Sequence, residues 1–277
     1  MTKTNRTSPS HKSPSHKSFP STTSHRERIL QHLMTLKIPM SAETLDRIVR
    51  ESTEKNSSSW ELLERFLAAP ADARTQAAIT ARIRRAKFPT QATLESFDWT
   101  FNAKTIPQRP FLELAAGEFI GRRDNVTFVG KSGLGKSHLI EGVGRSCCAV
   151  GYRVLYTKSA ELIEDLNKAQ AIKALSQRVR KYRSYDLLII DEFGFEKLER
   201  KDIPDALSLL YKVIDSRNGR GSTAVVTNVD FGDWTDYLGD PPLVMALLDR
   251  VVDSSIIIKF DGKSYRAERA EQKQRST

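Results

Sequence analysis

Apolar residues recur at helical spacing through the first third of the chain. Ser-x-x-Glu capping boxes at 24–27 and 58–61 each stand directly ahead of an apolar run. Proline cannot continue a helix interior without losing a hydrogen bond, so we expect helices to end at Pro39 and at Pro70. A further helix completes the segment before the chain reaches Phe88–Pro89. The pattern predicts a small all-helical domain over residues 25–88, with apolar faces built from Ile29, Leu30, Leu33, Leu45, Ile48, Val49, Leu62, Leu63, Phe66, Leu67, Ile79, Ile83 and Ala86.

From Asn125 onward the pattern changes to short apolar strands, most of them separated by amphipathic helices. Alternation of this kind predicts a parallel sheet covered on both faces, because parallel strands need crossover connections. Residues 89–120 are expected to form a linker and lead-in. The predicted strands are Val126–Val129, Arg153–Thr157, Leu187–Ile190, Ala224–Thr227 and Ile256–Phe260.

Composition excludes some classes of protein. Hydrophobic residues make up 39% of the 277 residues, and no apolar run is long enough to span a bilayer. Residues 1–24 are polar and basic, which predicts a disordered arm and no secretory signal. Cys147 and Cys148 are expected to be small core residues of a protein in a reducing cytoplasm, since adjacent cysteines rarely pair.

The net charge of +10 favours a polyanionic partner. Nucleic acid is the first candidate and an acidic membrane surface the second, although many basic proteins are merely kept soluble in this way. Four cations, Arg82, Arg84, Arg85 and Lys87, lie at the end of the predicted helical domain, where they form either a phosphate-contacting surface or a solvated face. A second basic helix is predicted over Ala169–Lys181.

The first strand-to-helix turn carries the sequence G-x-x-x-x-G-K-S over Gly130–Ser137. Glycines let the backbone wrap closely around phosphates, and the helix that follows presents its positive N-terminal end to them. Lys136 is expected to reach the β- and γ-phosphates, and Ser137 to bind magnesium. A chance match is disfavoured by the strand before the loop and the helix after it. The predicted ATP-binding residues are Gly130, Lys131, Ser132, Gly133, Leu134, Gly135, Lys136, Ser137 and His138.

Asp191 and Glu192 end an apolar strand at the edge of the sheet where ligands of open α/β sheets bind. Together with the glycine-rich loop they predict a hydrolytic site, in which Asp191 holds magnesium and Glu192 polarises the attacking water. Asn228, at the end of the fourth strand, either holds that water or the γ-phosphate or is a turn residue. Arg250 either neutralises the transition state of a neighbouring subunit or stabilises a helix C-terminus.

These residues stand within longer stretches of sequence that resemble the IstB/DnaC group of AAA+ ATPases over residues 88–266. Within that group the chain is more similar to the IstB-type transposition helper proteins. The stretches that carry the resemblance are AKFPTQATLESFDWTFN (86–102), GKSGLGKSHL (130–139), GYRVLYTKSAELIEDL (151–166), DLLIIDEFGF (186–195), LLDRVV (247–252) and GKSYR (262–266).

The resemblance implies an AAA+ domain over 89–266 without a C-terminal lid, followed by a charged tail over 267–277. It implies catalytic roles for Lys136, Glu192, Asn228 and Arg250, with Arg250 acting on the next subunit. It also implies a homo-oligomer joined through ATP, duplex DNA as ligand, and a transposase as partner. Two alternatives remain at this point: a replicative helicase loader of the DnaC type, and a small-molecule P-loop kinase.

Overall fold

The computed structural model describes residues 24–194 and 203–275, so that the predicted basic arm lies outside the described residues except for Ser24. The chain divides into two compact units, Met1–Gln76 and Ala77–Thr277. No helix among the described residues is long and apolar enough to cross a membrane.

The first unit is helical, as predicted. Helices α1 (His25–Thr35) and α2 (Ala42–Glu54) are followed by the start of α3 (Ser59–Ala86). Both capping boxes form, since Ser24 and Ser58 each accept from the backbone N–H of the glutamate three residues on and donate to its carboxylate. The buried side chains include Leu33, Leu45 and Ile48.

The expected break at Pro70 is wrong. Helix α3 runs without interruption from Ser59 to Ala86 and contains Pro70. Proline removes one backbone hydrogen bond and crowds the preceding turn. The surrounding sequence, LAAPADARTQAA, is rich in strong helix formers, which together offset that local cost.

The second unit is built on a parallel five-stranded sheet in the order β2-β3-β4-β1-β5. Each predicted strand except the second lies within an observed one, and the second begins one residue later than predicted, at Val154. The strands are β1 (Asn125–Gly130), β2 (Val154–Lys158), β3 (Leu187–Phe193), β4 (Ser222–Thr227) and β5 (Ser255–Phe260).

Helices cover both faces of this sheet. The helices are α4 (Arg109–Ala115), α5 (Glu118–Arg122), α6 (Lys136–Val150), α7 (Ser159–Ala171), α8 (Leu175–Arg183), α9 (Ala206–Arg217), α10 (Trp234–Leu238), α11 (Pro241–Val252) and α12 (Tyr265–Arg275). One hydrophobic cluster joins α4 and α6 to the sheet, and the other joins α7, α9 and α11 to the opposite face. Successive residues of β3 enter the two clusters in turn, which is why this strand is apolar from Leu187 to Ile190.

Two more segments differ in structure from the sequence-based predictions. The segment 89–120 is part of the core and not a linker, because Leu94, Ile106 and Phe111 are buried in it and it contains α4 and the start of α5. The basic stretch Ala169–Lys181 is not one helix. Helix α7 ends at Ala171, Lys173 takes a left-handed backbone conformation (φ 58°), and α8 begins at Leu175.

The cysteines are core residues, as predicted. Cys147 and Cys148 are buried in α6, and burial raises the pKa of the Cys147 thiol to about 12 and that of Cys148 to about 11.

Candidate functional site

The glycine-rich loop joins the end of β1 to the start of α6, and its glycines are required by both conformation and space. Gly133 and Gly135 have φ values of 85° and 87°, a region that L side chains rarely adopt. A Cβ on Gly133 would lie 2.1 Å from the Ser264 hydroxyl oxygen, and one on Gly135 would lie 2.5 Å from the Phe97 ring. The loop is therefore closely packed against segments from both ends of the second unit.

Lys136 is held in the loop by the loop's own backbone. Its ammonium donates to the carbonyl oxygens of Gly130 (2.5 Å) and Lys131 (2.8 Å), and the residue is only 7% exposed. Burial lowers the pKa of Lys136 to about 8, against the opposing attraction of Asp191. A buried ammonium that is bonded to neutral carbonyls is suited to receive an anion such as a phosphate.

Asp191 and Glu192 lie at the end of β3 in two different environments. Asp191 is 2% exposed, and its carboxylate accepts from the Tyr156 hydroxyl (2.5 Å) and from the Glu192 N–H (2.7 Å). Burial, together with the charge of Asp191 and the hydrogen bond to it, raises the pKa of Tyr156, with burial the largest cause. Glu192 has φ 57° and forms an ion pair with Lys158, 2.9 Å from its Oε1 to the Lys158 Nζ.

The left-handed backbone of Glu192 is unusual for a residue with a long side chain. Such conformations cost free energy and persist where the surrounding structure enforces them, often at functional sites. Here the Ser159 hydroxyl donates to the Glu192 carbonyl (3.2 Å), and Gly194 follows with φ 80°. The strand end is thus held in a conformation that directs two adjacent carboxylates to one region.

A cavity of ≈ 510 Å³ brings the loop and the carboxylates together. The lining residues come from the loop, the ends of β3 and β4, the start of α7, the lead-in segment and helix α12: Ser96, Phe97, Asp98, Phe101, Asn102, Ser132, Gly133, Leu134, Gly135, Lys136, Ser137, His138, Ser159, Ala160, Asp191, Glu192, Val226, Thr227, Tyr265, Arg266 and Arg269. The cavity combines cations, carboxylates and an aromatic wall, which matches the needs of a nucleotide with a polyphosphate chain.

Other predicted residues lie outside this cavity lining. Asn228 follows the lining residue Thr227, and its buried Oδ1 has no hydrogen-bond partner among residues 24–194 and 203–275. Arg250, on α11, forms ion pairs with Asp215 (2.9 Å) and Asp249 (2.8 Å).

The four basic residues at the end of α3 divide into two kinds. Arg82 donates to the Cys148 carbonyl (2.7 Å), so its side chain serves the fold of the second unit. The side chains of Arg84, Arg85 and Lys87 are exposed.

His138 contacts the lead-in segment as well as the cavity. Its Nε2 lies 2.9 Å from the Thr93 carbonyl and 3.0 Å from the Ser96 hydroxyl, and its ring meets Phe97 edge-on. The His138 side chain therefore joins the helix after the loop to the lead-in segment.

Sequence reasoning missed the site residues of β2 and α12. Lys158 is paired in register with Asp191, so its position at the end of a strand beside β3 was the available signal. Helix α12 begins at the cavity: the Tyr265 N–H donates to the Gly133 carbonyl (3.0 Å), and Arg266 and Arg269 line the wall. The predicted charged tail over 267–277 thus includes a residue of the candidate site.

The parallel sheet order and the loop at its carboxyl edge define a P-loop protein with the AAA+ fold. AMPPCP-bound DnaA from Aquifex aeolicus is similar with a TM-score of 0.51 at 19% identity, over 69% of this chain and 56% of that one. The DnaC helicase loader is similar with a TM-score of 0.50 at 21% identity, over 64% of this chain and 100% of that one.

The chain belongs to the family of IstB-like ATP binding proteins, whose sequence profile matches residues 31–274. A relative from Geobacillus stearothermophilus, named for insertion sequence IS5376 and for ATP binding, is 32% identical over 87% of this chain and 94% of its own length. A relative from Bacillus thuringiensis subsp. berliner, named for IS232 and ATP binding, is 29% identical over 87% of this chain and 94% of its own length.

Proposed function

We propose that this protein hydrolyses ATP in the cavity between the glycine-rich loop and the end of β3. The observation that carries the proposal is the placement of the Lys136 ammonium and the Asp191 and Glu192 carboxylates in one cavity. Backbone N–H groups of the loop and the N-terminus of α6 would bind the phosphates. Lys136, already buried and oriented, would lie over the β- and γ-phosphate oxygens.

The cavity also has oxygen ligands of the type that magnesium prefers. Ser137 and Asp191 both line it, and hydrogen bonds from Tyr156 and from the Glu192 backbone fix the Asp191 carboxylate. Ser137 and Asp191 would hold Mg²⁺, which would neutralise phosphate charge when bound.

Glu192 is the candidate group for activating water. Unlike Asp191 it is partly exposed to the cavity, and its carboxylate has one partner, Lys158, within the described residues. It would accept a hydrogen bond from the attacking water and orient it toward the γ-phosphate. Asn228 would hold that water or the γ-phosphate, and Arg250 would complete the site of an adjacent subunit.

We further propose that the protein assembles on duplex DNA and assists the transposase of an insertion sequence. Relatives covering most of this chain are named for insertion sequences, and the net charge of +10 favours a polyanion. Arg84, Arg85 and Lys87 are exposed and are candidates for phosphate contact. A replicative helicase loader of the DnaC type is the alternative, and a likeness to DnaC at 21% identity concerns the fold alone.

Phosphate release with and without duplex DNA tests the enzymatic proposal. Wild-type protein should hydrolyse ATP without an added acceptor. Glu192→Gln should bind ATP but turn over ~10²-fold more slowly, because the amide keeps the shape and loses the charge. Lys136→Ala should lose most nucleotide affinity. Wild-type turnover by Glu192→Gln would reject the assigned base.

The identity of the protein partner is tested by immobilising this protein and measuring which candidate partner it retains. DNA-dependent retention of an insertion-sequence transposase would support a transposition helper. Retention of a replicative helicase in its place would support the loader.

A further inference from the structure

A second cavity lies at the opposite edge of the sheet from the glycine-rich loop. Arg123 precedes β1, Arg183 precedes β3, and Asn218–Arg220 precede β4, so all of them lie where strands begin. The volume of the cavity is ≈ 600 Å³, and its lining residues are Arg123, Arg183, Asn218, Gly219 and Arg220. None of these residues contributes to the candidate ATP site.

The cavity contains three arginines and no carboxylate among the described residues that line it. The acidic residues nearest in sequence to Arg123 and Arg183 form ion pairs with other arginines. Asp124 forms an ion pair with Arg122 (2.8 Å), and Asp186 forms one with Arg153 (2.8 Å). The charges of Arg123, Arg183 and Arg220 are therefore not neutralised by ion pairs within the part of the chain that the structure describes. Arginines held this close together repel one another, and a bound anion relieves that repulsion.

A fourth arginine fixes the end of α8, which carries Arg183, and the turn before β4, which carries Arg220. Arg217 is 1% exposed, and its guanidinium donates to the carbonyls of Tyr182 (2.7 Å), Tyr185 (2.9 Å) and Ser222 (2.5 Å). Tyr182 and Tyr185 flank Arg183, and Ser222 follows the turn that holds Arg220. One buried side chain thus orders the end of α8 and the turn before β4 relative to each other.

Two further observations support a prearranged site. The Arg123 guanidinium donates to the Gly219 carbonyl (2.6 Å), which ties the third arginine to the same turn. Burial lowers the pKa of Arg217 to about 10, so this side chain stays charged at neutral pH and adds to the positive potential below the cavity.

We propose that this cavity binds a backbone phosphate of duplex DNA. An arginine guanidinium can donate two parallel hydrogen bonds to phosphate oxygens, and the Asn218 amide and the glycine backbone N–H add neutral donors. The described residues that line the cavity include no apolar side chain, whereas a stable protein interface would bury apolar surface at its centre. Exposed Arg180 and Lys181 in the last turn of α8 extend the basic surface, so a longer stretch of DNA backbone can be followed.

The proposed phosphate site rests on DNA binding by the protein. The experiment is therefore chosen so that failure of the site can be told apart from failure of DNA binding. Duplex affinity is measured at several salt concentrations for wild type and for the double variant Arg183→Gln with Arg220→Gln. The variant should bind DNA about tenfold less tightly at low salt, and its plot of log affinity against log salt should be shallower by about one for each lost phosphate contact. Arg183→Lys with Arg220→Lys should keep most of the salt slope.

The matched control is Arg109→Gln with Lys212→Gln, which removes the same charge from exposed positions elsewhere in the second unit. It should leave the slope near that of wild type, and all variants should keep the wild-type melting temperature. Equal losses of DNA affinity in the two double variants would overturn the site, because the loss would then follow from the lower net charge and not from the position of the arginines.

If Arg183→Gln with Arg220→Gln binds DNA with wild-type affinity, the proposed phosphate site is rejected, whereas DNA binding by the protein still stands. If that variant also fails to capture the transposase, the cavity is reassigned to an acidic protein partner. No salt-dependent DNA binding by wild type would reject both the site and the proposed DNA ligand, whereas ATP hydrolysis would still be judged on its own.

Discussion

The Lys158 ammonium lies 2.9 Å from the Glu192 carboxylate, at the ends of two adjacent parallel strands. Lys158 is opposite Asp191 in the strand register, and hydrogen bonding to Glu192 raises its pKa. A carboxylate oxygen held by an ammonium is not free to accept a hydrogen bond from water. This ion pair therefore restrains the residue that we propose as the activator of water.

We expect Lys158→Met to raise basal ATP turnover about 3- to 10-fold, because it frees the Glu192 carboxylate to accept a hydrogen bond from the attacking water. Steady-state phosphate release in the absence of DNA is the measurement. Nucleotide affinity should stay near the wild-type value, and Lys158→Arg, which keeps the charge, should behave like wild type. The increase should vanish when Lys158→Met is combined with Glu192→Gln. A fall in turnover would show instead that Lys158 holds Glu192 in its productive position.

Lys136 predicts a pH dependence of nucleotide affinity. Its pKa is lowered to about 8 by burial in the ligand-free protein, and a bound polyphosphate would raise that pKa. Because the bound form then holds the proton more tightly, binding takes up protons above about pH 8. Affinity should consequently fall as the pH rises through about 8.

Titration calorimetry between about pH 8 and pH 9, in buffers of different ionisation enthalpy, measures this uptake. Wild type should take up a fraction of one proton for each nucleotide bound. Lys136→Arg is the control, since a guanidinium stays protonated throughout this range. Tight binding by wild type without proton uptake would contradict the assignment of Lys136 to the phosphates.

Asn228 can be tested through its side-chain carbonyl oxygen, which is buried and lacks a donor within the described part of the chain. A buried acceptor without a donor costs stability in the absence of ligand, so Asn228→Ala should leave the melting temperature unchanged or raise it. Turnover should fall about tenfold, with nucleotide affinity within about threefold of wild type, because the amide would act on the transition state. A lower melting temperature with normal turnover would indicate a turn residue only.

The sequence was informative where local chemistry and strand periodicity agree. Strand positions followed from runs such as LLII before Asp191, and the loop followed from glycines whose positive φ values L side chains rarely adopt. It was less informative where tertiary packing overrides a local rule, as at Pro70, whose neighbours continue the helix.

Contacts between distant segments could not be predicted from local pattern. The lead-in segment contains polar and turn residues, yet Phe97 packs against Gly135 of the loop. The Lys158–Glu192 ion pair depends on a register between strands that are far apart in sequence. The three-arginine cavity likewise joins residues that precede three different strands, and only the sheet order brings them together.

Arg250 tests whether a complete active site needs two subunits. Within one chain this arginine is ion-paired with Asp215 and lies outside the cavity lining, so it contributes nothing to the site formed by its own Lys136 and Glu192. If it acts on the next subunit, Arg250→Ala should keep nucleotide binding by the isolated subunit. Hydrolysis on DNA should fall by as much as ~10³-fold, and ATP-dependent assembly should weaken.

Asp215→Asn provides the matched control, because it breaks the same ion pair from the other side and leaves the guanidinium in place. It should hydrolyse ATP on DNA at close to the wild-type rate. If Arg250 were only a partner for Asp215, the two variants would behave alike. An exposed ion pair of this kind contributes little to stability, so neither variant should unfold.

Mixing two inactive variants tests the shared site by a gain of ATPase activity, which does not depend on interpreting the activity that either variant loses. Arg250→Ala subunits retain Glu192, and Glu192→Gln subunits retain Arg250. In a mixed assembly some interfaces pair an intact Glu192 with an intact Arg250, so partial ATPase activity should return and should rise with total protein concentration. Recovery requires both intact residues to meet across an interface, since neither chain has a complete set. Mixtures that co-assemble on DNA and stay inactive would reject the shared site and leave Arg250 as the partner of Asp215.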